Sequence, residues 1–248
     1  MGWILALDTA GDAGNLTLAP LAAPNDAREF PLDVRQRHAQ TLLPAIRSAL
    51  TDCRLSPRDV TLIAVTSGPG SFTGLRVGIM AAKTWAWATS AQLVAIPSLL
   101  AIAETWRRSR DPISPGTLWC VENAQRGELF ASQFRPAEES SLDVDAPIEI
   151  VSPADLRVRL RPGDSVTGPG VTLWTRDDSD LVDDLPPDSL AALRAASHHV
   201  ARPAGPVLTA LAAQFAATGR LADPLTLEPT YLRRSSAEDK WLAKQTGR

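Results

Sequence analysis

Residues 66–78 read Thr66-Ser67-Gly68-Pro69-Gly70-Ser71-Phe72-Thr73-Gly74-Leu75-Arg76-Val77-Gly78, joining an apolar run, Thr61–Thr66, to a helical pattern over Phe72–Ala88. A run of that kind with no alternation predicts a central strand covered on both faces. Gly68 and Gly70 permit a tight turn, and Ser71 or Thr73 is placed to cap the helix. The spacing Gly-x-Gly-x-x-x-Gly is one residue longer than the dinucleotide-binding fingerprint. No Gly-Lys-Ser/Thr follows the glycines, so this is not a Walker A loop either. Gly74, Gly78 and Ala82 recur at i, i+4 and i+8 and form a stripe of small residues along the helix. Two readings stay open: an anion site or a partner-facing groove, and a capped helix packed tightly on its own sheet.

Upstream, Trp3–Thr9 and Asn15–Ala19 read as strands around a turn rich in Gly and Asp. Glu29–Val34 is a third, interrupted by Pro31 and therefore suited to a sheet edge. From about His38 to Leu50 the period becomes helical, with Leu42, Leu43, Ile46 and Leu50 on one side. Pro44 means that this helix either starts near Thr41 or is kinked. Downstream, Gln92–Ile96 is a short strand. The order is βββ-α-β-α over roughly a hundred residues, the size of one small domain.

A similar order comes next. Thr117–Val121 and Glu128–Phe134 are strand-like around a turn at Asn123–Gly127, and Pro147–Val151 is a third strand. Ser152 and Pro153 open a short helix to Leu160 as N-cap and first helical residue. Asp164–Thr167 then ends in Gly168-Pro169-Gly170, matching Gly68-Pro69-Gly70 in placement. The expected architecture is an α/β fold of two βββαβα subdomains, residues 1–105 and 106–248, with the active cleft between them. The polar, Pro-containing stretch Arg107–Gly116 is the expected linker, and 176–187 a solvated loop. Gly205–Thr218 is a last helix, and the tail from Arg234 is polar.

Composition narrows the function. The chain has 248 residues, 44% hydrophobic and 21% charged, with 15 glycines and 20 prolines, which is an ordinary globular mixture. A net charge of −3 argues against a chain that grips nucleic acid by itself. Two isolated cysteines, Cys53 and Cys120, exclude a disulfide scaffold and suit a reducing compartment. The first apolar run is too short for a signal peptide, and no span of ~20 apolar residues occurs after it. A cytoplasmic protein without a membrane anchor is expected.

Asp8 and Thr9 end the first strand. In sugar-kinase and actin-like folds a carboxylate there orients a metal-bound water near phosphates; the plain reading is a turn-forming Asp. The three histidines, His38, His198 and His199, show no His-x-x-x-His spacing, and no Gly-x-Ser-x-Gly elbow supplies a nucleophile. A metalloprotease and a serine hydrolase are thereby excluded. The cysteines read as core thiols. Among the seven tryptophans, Trp85 and Trp87 fall on different sides of one helix, which places one at a surface.

Several segments together resemble the TsaB (YeaZ) family of tRNA threonylcarbamoyladenosine biosynthesis proteins, itself related to the TsaD/glycoprotease family. They are Ile4-Leu5-Ala6-Leu7-Asp8-Thr9-Ala10, Arg37-His38-Ala39-Gln40-Thr41-Leu42-Leu43-Pro44-Ala45-Ile46, the Gly-Pro-Gly-Ser-Phe-Thr-Gly-Leu-Arg-Val-Gly run, and Glu228-Pro229-Thr230-Tyr231-Leu232-Arg233. Asn123-Ala124-Gln125-Arg126-Gly127-Glu128-Leu129-Phe130 is similar to that family's Asp-Ala-Arg-x-Gly-Glu-Val-Tyr, with Asn, Gln and Phe substituted. The resemblance implies an actin/Hsp70/sugar-kinase-like (ASKHA, RNase H-like) fold. It also implies a non-catalytic subunit in forming N6-threonylcarbamoyladenosine at position 37 of tRNAs decoding ANN codons. Its partners would be a TsaD-type catalytic subunit and a TsaE-type ATPase, which would carry the ATP and metal. TsaD-like chains place a His-x-x-x-His metal pair after the strand that succeeds the Gly-rich helix; here Ser98 and Ile102 stand there.

The competing expectation is an ATP-dependent kinase of the sugar or acetate kinase fold, favoured by Asp8 and the paired Gly-Pro-Gly turns. On the subunit reading the chain has no cofactor of its own, Asp8 and Thr9 being the residual candidates. It meets tRNA only through the complex. Its expected partner face, used for a homodimer when it is alone, comprises His38, Leu42, Leu43, Ile46, Phe72, Gly74, Leu75, Gly78, Ile79 and Ala82.

Overall fold

The computed structural model describes residues 2–32, 38–109, 116–135, 146–161, 163–174 and 202–232. The expected loop over 176–187, His198–His199, the tail from Arg234 and most of the expected linker lie outside those residues.

Alternation builds the first sheet. In β1 (Trp3–Asp8) Ile4 and Ala6 face one side and Leu5 and Leu7 the other, all buried. It pairs antiparallel with β2 (Asn15–Pro20), which pairs antiparallel with the edge strand β3 (Arg28–Pro31). On its other side β1 runs parallel to β4 (Val60–Gly68), which runs parallel to β5 (Gln92–Pro97), giving the order β3-β2-β1-β4-β5. Pro31 does stand on the edge. The helices α1 (His38–Asp52) and α2 (Phe72–Thr89) cover the face of Leu5 and Leu7 through Leu42, Ile46, Ile79 and Ala82. α1 starts at His38 with Pro44 inside it, not near Thr41.

The second sheet is smaller, in the order β8-β7-β6-β9, from β6 (Leu118–Asn123), β7 (Leu129–Phe134), β8 (Ile148–Val151) and β9 (Ser165–Thr167). α4 (Pro153–Arg159), capped by the Ser152 hydroxyl accepting from the Asp155 amide at 3.0 Å, covers its outer face through Leu156. α5 (Val171–Trp174) is a single turn after Gly168-Pro169-Gly170.

Two differences from the expected order matter for the site. α3 (Ser98–Arg108) is a helix between the sheets, so the first half is βββ-α-β-α-β-α. Ser98 to Glu104 are all buried, packed between β4 and β5 on one side and β6, β7 and β9 on the other. The polar residues Glu104, Thr105, Arg107 and Arg108 gather toward the C-terminal end of α3. α6 (Gly205–Ala217) also lies against β1, β2, β4 and β5, with α3. The boundary at 105/106 is therefore corrected: the chain returns, and α6 belongs to the first sheet. Its N-terminus is held there by Glu29 of β3, whose carboxylate accepts from the Gly205 amide.

The chain continues from α6 as a strap. The Ala222 amide donates to the Leu93 carbonyl (2.8 Å), Lys83 Nζ to the Leu227 carbonyl (2.8 Å), and the Thr230 amide to the Ser67 carbonyl (2.8 Å). It ends at the mouth of the cleft between the sheets.

Candidate functional site

The cleft is set by strand parity. Asp8 continues the face of Ile4 and Ala6 at the end of β1, and Glu122 continues the face of Leu118 and Cys120 near the end of β6. Each strand thus carries one carboxylate past the end of the shared core into a cavity of about 510 Å³. α3 forms a third wall with Ser98 and Ile102, and the rim carries Arg202, Phe72 and Tyr231.

Asp8 is 3% exposed. Its Oδ1 accepts from the Ala10 amide (3.1 Å) and the Thr66 hydroxyl (2.9 Å). The first bond is the turn-forming role, realised. Burial pushes its carboxyl above the usual range against the pull of those two bonds. Thr9 turns the other way, and its hydroxyl donates to the Gly74 carbonyl at 2.8 Å. Glu122 is also buried, and its Oε1 accepts from the Asn123 amide at 2.9 Å. Burial raises its pKa from 4.5 to about 7, with Asp8 and Asp12 adding to the rise and Arg202 opposing it. Sequence reasoning singles out Asp8 and misses Glu122. The available signal was a charged residue on the apolar parity of its strand.

The N-terminus of α2 borders the cavity through Ser71, Phe72 and Thr73, and part of it is engaged within the chain. Ser71 caps it by accepting from the Gly74 amide (3.2 Å), and the Ser71 amide donates to the Ala10 carbonyl (2.6 Å). A Cβ on Gly70 would overlap Ala10, and one on Gly74 would overlap the Thr9 carbonyl oxygen. The hairpin after β1 therefore packs tightly on this turn, which is the capped-helix reading.

The same contacts correct the partner face. Gly74, Gly78 and Ala82 point inward, onto the end of β1 and the Val65 side chain of β4. Leu42, Ile46, Leu75 and Ile79 are buried with them. His38 Nε2 lies 2.9 Å from the Gly11 carbonyl and holds the β1–β2 hairpin instead of facing out. The spacing marked a real face, but the face is the one toward the sheet. Of the ten residues, Leu43 and Phe72 are exposed, and Met80 (62% exposed) and Trp87 (76%) join them on the outer side of α1 and α2. Trp85 is half-buried, as its separation from Trp87 suggests.

At the cleft mouth the strap meets α2. Arg76 Nε donates to the Tyr231 hydroxyl at 2.7 Å, and its guanidinium stands 4.0 Å from the centre of the Phe72 ring. Ser98 Oγ accepts from the Gly68 amide at 3.2 Å, and Ile102 beside it in the wall is hydrocarbon. Among the described residues no three His, Cys, Asp or Glu side chains gather as a metal site. No helix of the described residues is long and apolar enough to cross a membrane.

Comparison with known proteins gives concordant results. The family model described as TsaD: tRNA N6-adenosine threonylcarbamoyltransferase matches residues 30–157. The tRNA threonylcarbamoyladenosine biosynthesis protein TsaB of Bacillus subtilis is 31% identical over 248 residues, covering 98% of this chain and 99% of that protein. Its namesake in Escherichia coli is 28% identical over 98% of this chain and 99% of its own. The solved structure of YeaZ from Pseudomonas aeruginosa superposes with a TM-score of 0.71 at 22% identity, over 94% of this chain and all of that one. That likeness carries the fold, an α/β architecture of two mixed sheets.

Proposed function

The chain belongs to the TsaB family of tRNA threonylcarbamoyladenosine biosynthesis proteins, and from that premise we propose that it is the non-catalytic subunit of the modifying complex. On this reading a TsaD-type subunit performs the transfer to adenosine 37 of tRNAs decoding ANN codons, and a TsaE-type ATPase works beside it. This chain supplies a folded surface, with no peptidase or transferase chemistry and no ATP or metal of its own. Alone it pairs with a second copy. It works in the cytoplasm.

The observation that carries the proposal is the α3 wall. Ser98 and Ile102 occupy the positions at which the resemblance puts a metal-binding histidine pair in TsaD-like chains. The Ser98 hydroxyl already accepts from Gly68, and the Ile102 side chain has no donor atom. A neutral hydroxyl and an alkyl group are poor ligands for a catalytic divalent ion. The net charge of −3 supports tRNA contact through the complex and not through this chain alone.

On this reading the partner face is the outer side of α1 and α2, an assignment supported by the exposure of Leu43, Met80 and Trp87. The test is co-purification of the chain with a TsaD-type protein by size exclusion, and quantification of the modified nucleoside in tRNA after the gene is removed. A stable complex and depleted nucleoside are expected. Full modification without the chain, or metal-dependent turnover by the chain alone, overturns the reading.

A further inference from the structure

We propose that the cleft is a binding site for a free α-amino acid, with its ammonium on Asp8 and Glu122 and its carboxylate toward Arg202. This goes beyond the subunit role and stands or falls independently of it.

The acceptor atoms of the two carboxylates point to a cationic group. Among the described residues, both hydrogen bonds to Asp8 fall on Oδ1, and the bond to Glu122 falls on Oε1. Oδ2 of Asp8 and Oε2 of Glu122 are then unclaimed, on side chains more than nine-tenths buried that line the same cavity. Acceptor atoms that two such side chains leave open to the cavity suit a hydrogen-bond donor, and a positive one is favoured most. An ammonium supplies three donors in a compact group.

The rim decides which group the ammonium brings with it. Arg202 is exposed at the rim and its charge acts on both carboxylates. A guanidinium there suits a ligand carboxylate in bidentate fashion. A zwitterion satisfies both ends and brings no net charge into a poorly solvated space. ATP would bring several negative charges against the two carboxylates and Asp12, which lines the same cavity. A cavity of about 510 Å³ lies within the range of small-molecule sites and exceeds one small amino acid. Ile102 and Phe130 in the lining offer apolar surface for an aliphatic side chain.

Protonation tunes the site. The charged groups around Glu122 are Asp8 at the end of β1, Asp12 in the hairpin after it and Arg202 ahead of α6, and Arg126 of the β6–β7 turn lines the same cavity. An arriving ammonium favours the ionised carboxylate, so binding tightens as pH rises through about 7, with a proton released.

The experiment is calorimetric titration of the full chain with L-threonine and L-leucine, their methyl esters, spermidine and ATP, at pH 6 and pH 8. Saturable binding of at least one amino acid is expected, weaker by at least tenfold in Glu122→Gln and in Asp8→Asn. The methyl ester is expected to bind at least tenfold more weakly than its acid, and Arg202→Ala to abolish that difference. Melting curves of each variant separate lost binding from lost folding, and Arg202 on the surface provides a variant that leaves the core intact. No binding by either amino acid overturns the proposal, as does preferred binding of spermidine or ATP. Size exclusion with the TsaD-type partner, run on the same variants, keeps this outcome separate from the subunit role.

Discussion

Gly74 of α2 lies against Thr9 so closely that the Thr9 hydroxyl donates to the Gly74 carbonyl at 2.8 Å and a Cβ at Gly74 would overlap the Thr9 carbonyl oxygen. One turn on, Gly78 faces the same threonine side chain, with Val65 behind it. The stripe of small residues is thus the seat of a strand end. Its purpose is to let the first turn of a helix close on the end of β1, which fixes where Asp8 enters the cleft.

Widening Gly78 to leucine therefore overpacks the interior. Gly78→Leu is expected to lose about 1–3 kcal/mol of stability and several degrees of melting temperature. Partner binding by the fraction that remains folded is expected to persist. Differential scanning calorimetry with a parallel pull-down reads both; an unchanged melting temperature with lost pairing contradicts the inward face.

The outward residues should behave in the opposite way. Leu43→Glu combined with Met80→Glu leaves the core untouched, since both side chains are more than half exposed. The melting temperature should hold within a degree or two, while affinity for the TsaD-type subunit falls at least about tenfold, the usual effect of truncating an interface anchor. Surface plasmon resonance on the purified pair measures it.

The strap offers a local prediction. Lys83 Nζ donates to the carbonyls of Leu225 and Leu227, and beyond them the Thr230 amide reaches Ser67. In Lys83→Met the segment 222–230 should open more often without global unfolding. Amide exchange at Ala222 and Thr230 is expected to accelerate by about tenfold, while the strand amides of β1 and β4 keep their protection.

How far the sequence anticipates the fold differs between elements. The strand, turn and helix over residues 60–89 were legible because the signals are local: an apolar run, glycines at a turn, a serine cap. The edge position of β3 was legible from Pro31. α3 does carry a helical period in Leu99, Ile102, Ala103 and Trp106, but Arg107 and Arg108 at its end read as the start of a polar linker. The direction of the Gly74–Gly78 stripe was not legible, since Thr9 is 65 residues away from Gly74 and spacing along one helix is silent about what meets it. The return of α6 to the first sheet rests on Glu29 holding Gly205, 176 residues apart. Asp8 stood out at the end of its strand, whereas Glu122 gains meaning only when the second sheet brings it to the same cavity.

Glu122 gives a stability profile whose sign can be worked out. Its carboxyl titrates near 7 in the folded chain and near its ordinary 4.5 when unfolded, because burial disfavours the charge. Below pH 4.5 both states hold the proton and the residue has no effect. Between 4.5 and 7 the unfolded chain has lost the proton while the folded chain keeps it, so stability falls as pH rises. Above 7 the penalty is complete, on the order of 3 kcal/mol from about 1.4 kcal/mol per tenfold in proton affinity. Glu122→Gln keeps an oxygen for the Asn123 amide and cannot ionise, so it removes the penalty. The variant should match the parent near pH 4.5 and melt several degrees higher at pH 8. Melting curves for both proteins at half-unit steps from pH 4.5 to 8 read the difference directly. A gap that is constant across the range would mean that the carboxyl is not held protonated by its burial.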